Sequence, residues 1–245
     1  MTKTRIEWCD YTINPVKGLC PVACPFCYAR RIYNRFKWNP ELRYDEDILR
    51  KPLLGKPGDR YFIGSTMELF GEWVEDWIMQ NIFNFVKCYP ERTFIFLTKR
   101  PENLAQWSPF PENCWVGVSV PRYWDDSAIG HPEAFKRISK LGEVTATVKF
   151  VSFEPLLEDV ASNSDFGLDM DFKAYSISWI ILGQQTPVKA STAPKIEWIR
   201  EIVEAADKAG IPVFLKNNLT KGVIDASCDW AFNKSGYRQE FPVTK

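Results

Sequence analysis

Tyr61-Phe-Ile-Gly64, then Trp73-Val-Glu-Asp-Trp-Ile-Met-Gln-Asn-Ile-Phe-Asn-Phe-Val-Lys-Cys-Tyr89, then Thr93-Phe-Ile-Phe-Leu97 decide how this 245-residue chain folds. The first and last runs are short, apolar and rich in β-forming residues. The run between them repeats its apolar residues near a period of 3.6, which sets Val74, Trp77, Ile78, Ile82, Phe85 and Val86 on one helical face. A helix between two apolar strands is the connection that parallel pairing requires.

The same theme recurs on both sides. Cys114-Trp-Val-Gly-Val118, Val148-Lys-Phe-Val-Ser152, Trp179-Ile-Ile-Leu182 and Pro212-Val-Phe-Leu215 read as further buried strands. Helices are expected over 101–107, 132–141 and 195–209, the last ending at Gly210, a natural residue for the left-handed cap. Before the first unit, residues 4–15 read as a short strand with Trp8 and Ile13 available to a core. A helix follows from Tyr28, with Ile32, Tyr33 and Phe36 on one stripe. Six or seven βα units in roughly 200 residues favour an open or closed βα barrel, with a doubly wound sheet as the alternative. One domain is expected over 1–245, with an extension after about 219. The acidic stretch 158–177, which contains Asn163-Ser-Asp-Phe-Gly167, reads as an excursion that covers the active site.

Composition narrows the function classes. Lys plus Arg and Asp plus Glu are equal at 31 each, so global charge advertises neither nucleic acid nor membrane. No apolar run approaches the roughly 20 residues that span a bilayer. The N-terminus lacks the apolar core of a secretory signal, and a cytoplasmic protein is expected. Seven cysteines without an export signal point away from a disulfide framework and toward metal binding or catalysis. A single histidine, His131, argues against a His-rich zinc site.

Three of those cysteines stand in Cys20-Pro-Val-Ala-Cys24-Pro-Phe-Cys27-Tyr28. Pro21 and Pro25 keep the stretch out of helix. Three thiolates leave one position of a metal centre open, whereas structural zinc is normally closed by four ligands. Thiolates are also the usual ligands of iron–sulfur clusters, so the spacing suits a 4Fe–4S cluster with one free iron. A zinc knuckle completed by Cys9 is the alternative. Cys9, Cys88, Cys114 and Cys228 are otherwise scattered and read as core or incidental.

Cys-x3-Cys-x2-Cys followed by an aromatic residue resembles the signature of radical S-adenosylmethionine (radical SAM) enzymes. The likeness extends further. Arg5-Ile-Glu-Trp-Cys-Asp10 with Asn14-Pro15-Val16, the cysteine loop, Gly64-Ser-Thr-Met-Glu-Leu-Phe70, Leu97-Thr-Lys-Arg-Pro101, Val116-Gly-Val-Ser-Val120 and Ser152-Phe-Glu-Pro-Leu156 together resemble the phage Gp37/Gp68 (DUF5131) family. The resemblance implies a partial (β/α)6 TIM-like barrel and an enzyme that cleaves S-adenosylmethionine reductively at a 4Fe–4S cluster. It also implies an electron donor such as a flavodoxin or ferredoxin. Nucleotide or nucleic acid is the favoured substrate class, from the family's phage link and the basic run Arg30, Arg31, Arg35 and Lys37. Trp38, Trp73, Tyr123 and Trp124 are candidates for base stacking. A non-catalytic zinc- or cluster-binding protein with a nucleic-acid or protein partner is the alternative reading.

In such a barrel the functional loops follow the strand C-termini. Polar residues do follow the apolar runs: the three cysteines, Ser65, Thr98-Lys99-Arg100, Ser119, Glu154, Gln184-Gln185 and Lys216-Asn217-Asn218. By resemblance, Cys20, Cys24 and Cys27 would hold the cluster, and Tyr28 would sit beside the adenine. Gly64, Ser65 and Thr66 would take the amino group of S-adenosylmethionine, Ser119 the ribose and Arg122 the carboxylate. Glu154 and Lys99 are the candidate catalytic residues, each with a plainer reading as an ion-pair or surface group.

Overall fold

The structure is a computed structural model, and it describes residues 1–120, 132–161, 164 and 167–243, with 132–134 described by backbone alone. The chain opens with β1 (Thr2–Lys3) and β2 (Tyr11–Ile13). A small ribbon of β3 (Val16–Lys17) and β4 (Arg43–Tyr44) brackets α1 (Tyr28–Phe36), and α2 (Asp47–Arg50) follows. The repeating part then runs β5 (Arg60–Ile63), α3 (Asp76–Lys87), β6 (Thr93–Thr98), β7 (Cys114–Ser119), α4 (Pro132–Gly142), β8 (Val148–Phe153), α5 (Leu168–Ala174), β9 (Trp179–Leu182), α6 (Ile196–Ala209) and β10 (Val213–Leu215). A last ribbon pairs β11 (Phe232–Asn233) with β12 (Gly236–Tyr237).

The main sheet has eight strands in the order β1-β2-β5-β6-β7-β8-β9-β10. From β2 onward every pairing is parallel, and only β1 runs antiparallel. Spatial order equals chain order, so each crossover steps the same way. Right-handed crossovers then put the helices on one face. A doubly wound sheet would reverse its order at a switch point, and this one does not. The two ends of the order are not paired with each other among the described residues, so the sheet is open.

Residue alternation gives the two faces different cores. Tyr61, Ile63, Phe94, Phe96, Val116, Val118, Val151, Phe153, Ile180 and Leu182 share one cluster with Ile78, Met79, Ile82, Ile199 and Val203 of α3 and α6. Phe62, Ile95, Trp115, Phe150, Trp179, Ile181 and Phe214 form a second, aromatic cluster on the opposite, inner face, together with Trp8 and Cys9. The same parity places Gly117, Ser119 and Ser152 on that inner face, nearer the strand C-termini. Gly117 has to be glycine, because a Cβ would stand 2.4 Å from the Phe150 ring.

The tail after residue 219 turns back under the sheet. Phe241 packs 5.4 Å from Trp179 and 5.3 Å from Phe214, centroid to centroid, with the Arg60 guanidinium 3.7 Å from its ring. The Trp179 indole donates to the Glu240 carbonyl at 2.8 Å, and the Val213 N–H donates to the Glu240 carboxylate at 2.8 Å. Arg238 pairs with Asp207 of α6 and with Glu240. These contacts involve Arg60, Trp179 and Val213, the first residues of β5, β9 and β10. The inner face is thereby covered at the N-terminal ends of the strands.

Several expectations shift. Helix α3 starts at Asp76, because Trp73 sits in a turn and its indole donates to the Glu68 carbonyl at 3.2 Å. Trp77, expected inward, is 50% exposed; its indole donates to Glu75 and its ring meets Tyr44 edge-on. Phe36 is 58% exposed and leaves the stripe that Ala29 and Tyr33 bury. The stretch 101–107 is two 3-10 turns, Pro101–Asn103 and Ala105–Trp107. The 158–177 excursion supplies α5, whose Leu168 and Phe172 are buried in the helical layer against α6. A parallel pair needs a crossover there, and this stretch provides it rather than a cover. Four residues of that stretch, 162, 163, 165 and 166, lie outside the described residues. Among the described residues no helix is long and apolar enough to cross a membrane.

The Glu240 carboxylate has a test in acid. Burial pushes its pKa up, but the Val213 amide, Arg238 and Asn233 outweigh this and leave it below the ordinary 4.5. A lowered carboxylate stabilises the fold above its unfolded pKa, and that contribution is lost as pH falls through the folded value. Glu240→Gln is expected to cost about 1.5–3 kcal/mol at pH 7, the worth of charge-assisted hydrogen bonds. It should also flatten the loss of stability below about pH 4.5 in urea titrations; an unchanged acid limb would contradict this account of the tail.

Candidate active site

The cysteine loop follows the first parallel strand, separated from it by β3. Two turn hydrogen bonds shape it, from the Ala23 N–H to the Cys20 carbonyl and from the Cys27 N–H to the Cys24 carbonyl. Cys27 caps α1, its sulfur accepting the Arg30 N–H at 3.4 Å, and the Arg30 guanidinium returns to the Cys20 carbonyl at 2.7 Å. Burial pushes the Cys20 thiol up, while backbone N–H groups of Glu68 and Val22 pull the other way by hydrogen-bonding the sulfur. Three thiols within eight residues, one of them met by two N–H donors, fit a thiolate-held group in their chemistry. Their side chains are not gathered around one point. Among the described residues no group of three or more His, Cys, Asp or Glu is placed to hold a metal ion. Cys9, the alternative fourth ligand, is buried with its thiol held up at about 12 by desolvation, and it donates to the Ile6 carbonyl.

The segment after β5 is fastened by Asn14, a residue of the quoted Asn14-Pro15-Val16 motif to which the sequence assigned no role. Gly64 takes φ +79°, and a Cβ there would meet the Leu69 side chain at 2.6 Å. The Asn14 side chain exchanges hydrogen bonds with the Ser65 hydroxyl at 3.1 and 3.2 Å and accepts the Thr66 N–H at 3.2 Å. The Tyr28 hydroxyl donates to the Ser65 carbonyl at 2.6 Å. Tyr28 is 41% exposed, yet desolvation pushes its phenol up to about 12, with Cys27 and Glu154 adding to the rise. Cys27, Tyr28, Ser65 and Glu154 therefore share one neighbourhood.

Glu154 and Lys216 form an ion pair across the ends of β8 and β10. Between them lies Gly183, where a Cβ would stand 2.9 Å from the Lys216 side chain and 3.4 Å from that of Glu154. Ser119 is buried and its hydroxyl donates to the Glu154 carbonyl at 3.5 Å. Ser152, its register partner, is fully buried with a hydroxyl that has no hydrogen-bond partner among the described residues. Gln184 is tied to Asn218 and Lys221, a structural duty for the loop.

Lys99 and Arg100, two of the polar residues that follow β6, are held in different ways. Arg100 turns outward to Glu102, with its guanidinium 5.9 Å from the Trp73 ring. The Lys99 backbone is held from both sides, its N–H by Glu68 and its carbonyl by Arg137 at 3.1 Å. Arg122, Tyr123 and Trp124 lie outside the described residues.

Glu68, Asn14 and Arg137 are the positioning residues that sequence reading missed. Glu68 is 7% exposed; its carboxylate accepts from the Phe70 N–H at 3.1 Å, the Thr98 hydroxyl at 2.7 Å and the Lys99 N–H at 2.7 Å. It thus couples the loop after β5, which reaches the Cys20 sulfur, to the loop after β6. An acid between Met67 and Leu69 was the available signal. Glu68→Gln would set an NH2 against backbone donors. A loss of about 1–3 kcal/mol is expected, with Thr98→Val costing less; equal midpoints for wild type and both variants in denaturant would refute this role.

No curated protein matches the chain. Among solved structures, a spore photoproduct lyase double mutant with bound AdoMet and dinucleoside spore photoproduct resembles it with a TM-score of 0.52 at 12% identity. The match covers 84% of this chain and 63% of that one, so the present chain spans less than two thirds of that protein's length. At this identity the likeness is one of fold: a mixed α/β architecture around a mostly parallel sheet. A family model described as "Protein of unknown function (DUF5131)" matches residues 3–224, and the chain belongs to that family.

Proposed function

We propose that this protein is a radical SAM enzyme whose parallel sheet forms a partial barrel, with Cys20, Cys24 and Cys27 holding a 4Fe–4S cluster. The observation that carries the reading is positional. A Cys-x3-Cys-x2-Cys loop follows the first parallel strand of a sheet in sequential order, and the small and polar inner-face residues lie toward the same end. The fold shared with a lyase that binds AdoMet supports it. When bound, the cluster would supply one electron to the sulfonium of S-adenosylmethionine, yielding methionine and a 5′-deoxyadenosyl radical.

The chain's own residues have separable tasks in this reading. Asn14 and Glu68 hold the segment 64–70 in place beside the cysteine loop. Tyr28, with its phenol kept protonated, would present its ring to the adenine. Gly64, Ser65 and Thr66 would offer backbone groups to the amino end of S-adenosylmethionine. Ser119 would bind the ribose, with the unpartnered Ser152 hydroxyl beside it. The Glu154–Lys216 pair offers charge of both signs at the rim: the carboxylate suits a hydroxyl or ammonium group, the ammonium a carboxylate or phosphate. Lys99 is a further cation at the same end. The substrate class we favour is a nucleotide or nucleic acid, with a flavodoxin- or ferredoxin-type electron donor.

Anaerobic reconstitution tests the proposal. About four iron and four sulfide per chain are expected, with S-adenosylmethionine cleaved under dithionite. Cys20→Ala, Cys24→Ala and Cys27→Ala should each abolish cleavage, while Cys88→Ala leaves both readouts unchanged. One tightly held zinc in anaerobically purified protein, or a complete cluster that leaves S-adenosylmethionine intact, would overturn the reading.

A further inference from the structure

We infer that the C-terminal end of α1 is a preformed platform for single-stranded nucleic acid, resting on the reading of the adjacent strand ends as a reaction centre. The Phe36 and Trp38 rings are stacked, with centroids 5.8 Å apart and planes at 24°, yet they are 58% and 51% exposed. Single exposed apolar residues need no explanation, but two large rings held together at the surface do.

The rings are fixed in place. The Trp38 N–H donates to the Tyr33 carbonyl at 3.1 Å, behind Lys37 in the left-handed cap position. The Trp38 indole meets Tyr33 edge-on at 5.3 Å; Tyr33 is buried, and its hydroxyl accepts the Gly18 N–H at 2.8 Å. A ring ordered before binding loses little entropy when a base stacks on it.

The surrounding charge is of one sign. Between Tyr28 and Arg43 stand Arg30, Arg31, Arg35, Lys37 and Arg43 against one acid, Glu41, in a chain whose charges otherwise balance. None of the five cations makes an ion pair with a carboxylate among the described residues. Arg30 and Arg31 are spent on backbone carbonyls of Cys20 and Thr186, and Arg43 on those of Asn39 and Glu41, which leaves Arg35 and Lys37 beside the rings. Arg35 lies 5.4 Å from the Phe36 centroid. Exposed aromatic faces edged with cations match the two recognisable parts of a single strand, its bases and its phosphates. A membrane surface is the poorer fit, since the apolar side of α1, with Ala29 and Tyr33, is buried against the protein and is not free to enter a bilayer. Trp73, the other described tryptophan considered for stacking, packs against the helical core and is not part of this surface.

The platform is also in register with the site. Cys27 caps the start of α1 and Trp38 follows its end. The nine-residue helix between them is about 13 Å long at 1.5 Å per residue. A strand stacked on Trp38 would reach the cysteine loop within about four nucleotides at about 3.4 Å each.

Fluorescence anisotropy with a labelled oligo(dT) strand of about 15 nucleotides tests this on the full chain, without cluster or S-adenosylmethionine. We expect Kd between about 1 and 100 µM, a preference over the corresponding duplex, and a loss of about 5- to 100-fold in Trp38→Ala, as for a stacking ring. Arg35→Ala with Lys37→Ala should lower the salt slope by about 1.4, or about 0.7 per phosphate. Circular dichroism checks that the variants are folded, and dithionite-driven cleavage of S-adenosylmethionine should be unchanged in Trp38→Ala. Binding weaker than about 1 mM, equal affinity in Trp38→Ala, a preference for duplex, or tighter binding to phosphatidylserine–phosphatidylcholine vesicles would overturn the inference. A failure of S-adenosylmethionine cleavage in every form of the protein would count against the proposed reaction and leave this binding result standing.

Discussion

From β5 to β10 each strand of the main sheet buries both of its faces, and it buries them against different things. One face meets helices and is mostly apolar, Thr98 and Lys149 apart; the other closes on an aromatic floor and turns small and polar toward the strand C-termini. The pleat enforces this split, because neighbouring residues on a strand cannot share a side. Strand order extends it across the molecule. With chain order equal to spatial order, all the parallel strands end along one edge, and the loops that leave them become neighbours without further design.

The two ends of the inner face are treated differently. At the strand N-termini, Phe241 and the Arg238–Glu240–Asp207 network seal it with apolar contact and paired charge. At the other end the polar groups are satisfied by residues from distant loops: Glu68 accepts from the loop after β6, and Glu154 pairs with Lys216. Ser152 is an exception, a buried hydroxyl with no partner among the described residues. Buried polar groups are ordinarily paired, so an orphan at this end marks a position where the protein has left hydrogen-bonding capacity unused. Glycine at 183 has the complementary effect, since any side chain would press on the ion pair.

Charge and aromaticity are partitioned in the same way. The chain is neutral overall, yet the helix after the cysteine loop and the turn that follows it concentrate cations around two exposed rings. Tyr33 explains how such rings stay ordered in water: of the three rings in the cluster one is inside the protein and two are outside. The basic helix and the cysteine loop are therefore one structural unit, with Cys27 as cap and Arg30 returning to Cys20.

Local pattern alone determined the parallel α/β class, the positions of the buried strands and the cysteine loop, because pleat alternation, helical period and cysteine spacing are properties of adjacent residues. It also placed Trp8 and Ile13 in the core, where they are 2% and 0% exposed. The tertiary structure alone decided whatever depends on residues far apart in the chain. Glu68 is an acid without an assigned role in the motif 64–70 and becomes a bracket only when β6 lies beside β5. Lys99 and Arg100 are adjacent in sequence, and the bend after β6 separates their surroundings. Stretch 158–177 looks like a cover until the need for a crossover beside α6 makes it a helix. Trp77 and Phe36 fit a helical stripe by period, but a stripe is buried only as far as a neighbouring element covers it, and that coverage is not written in the stripe.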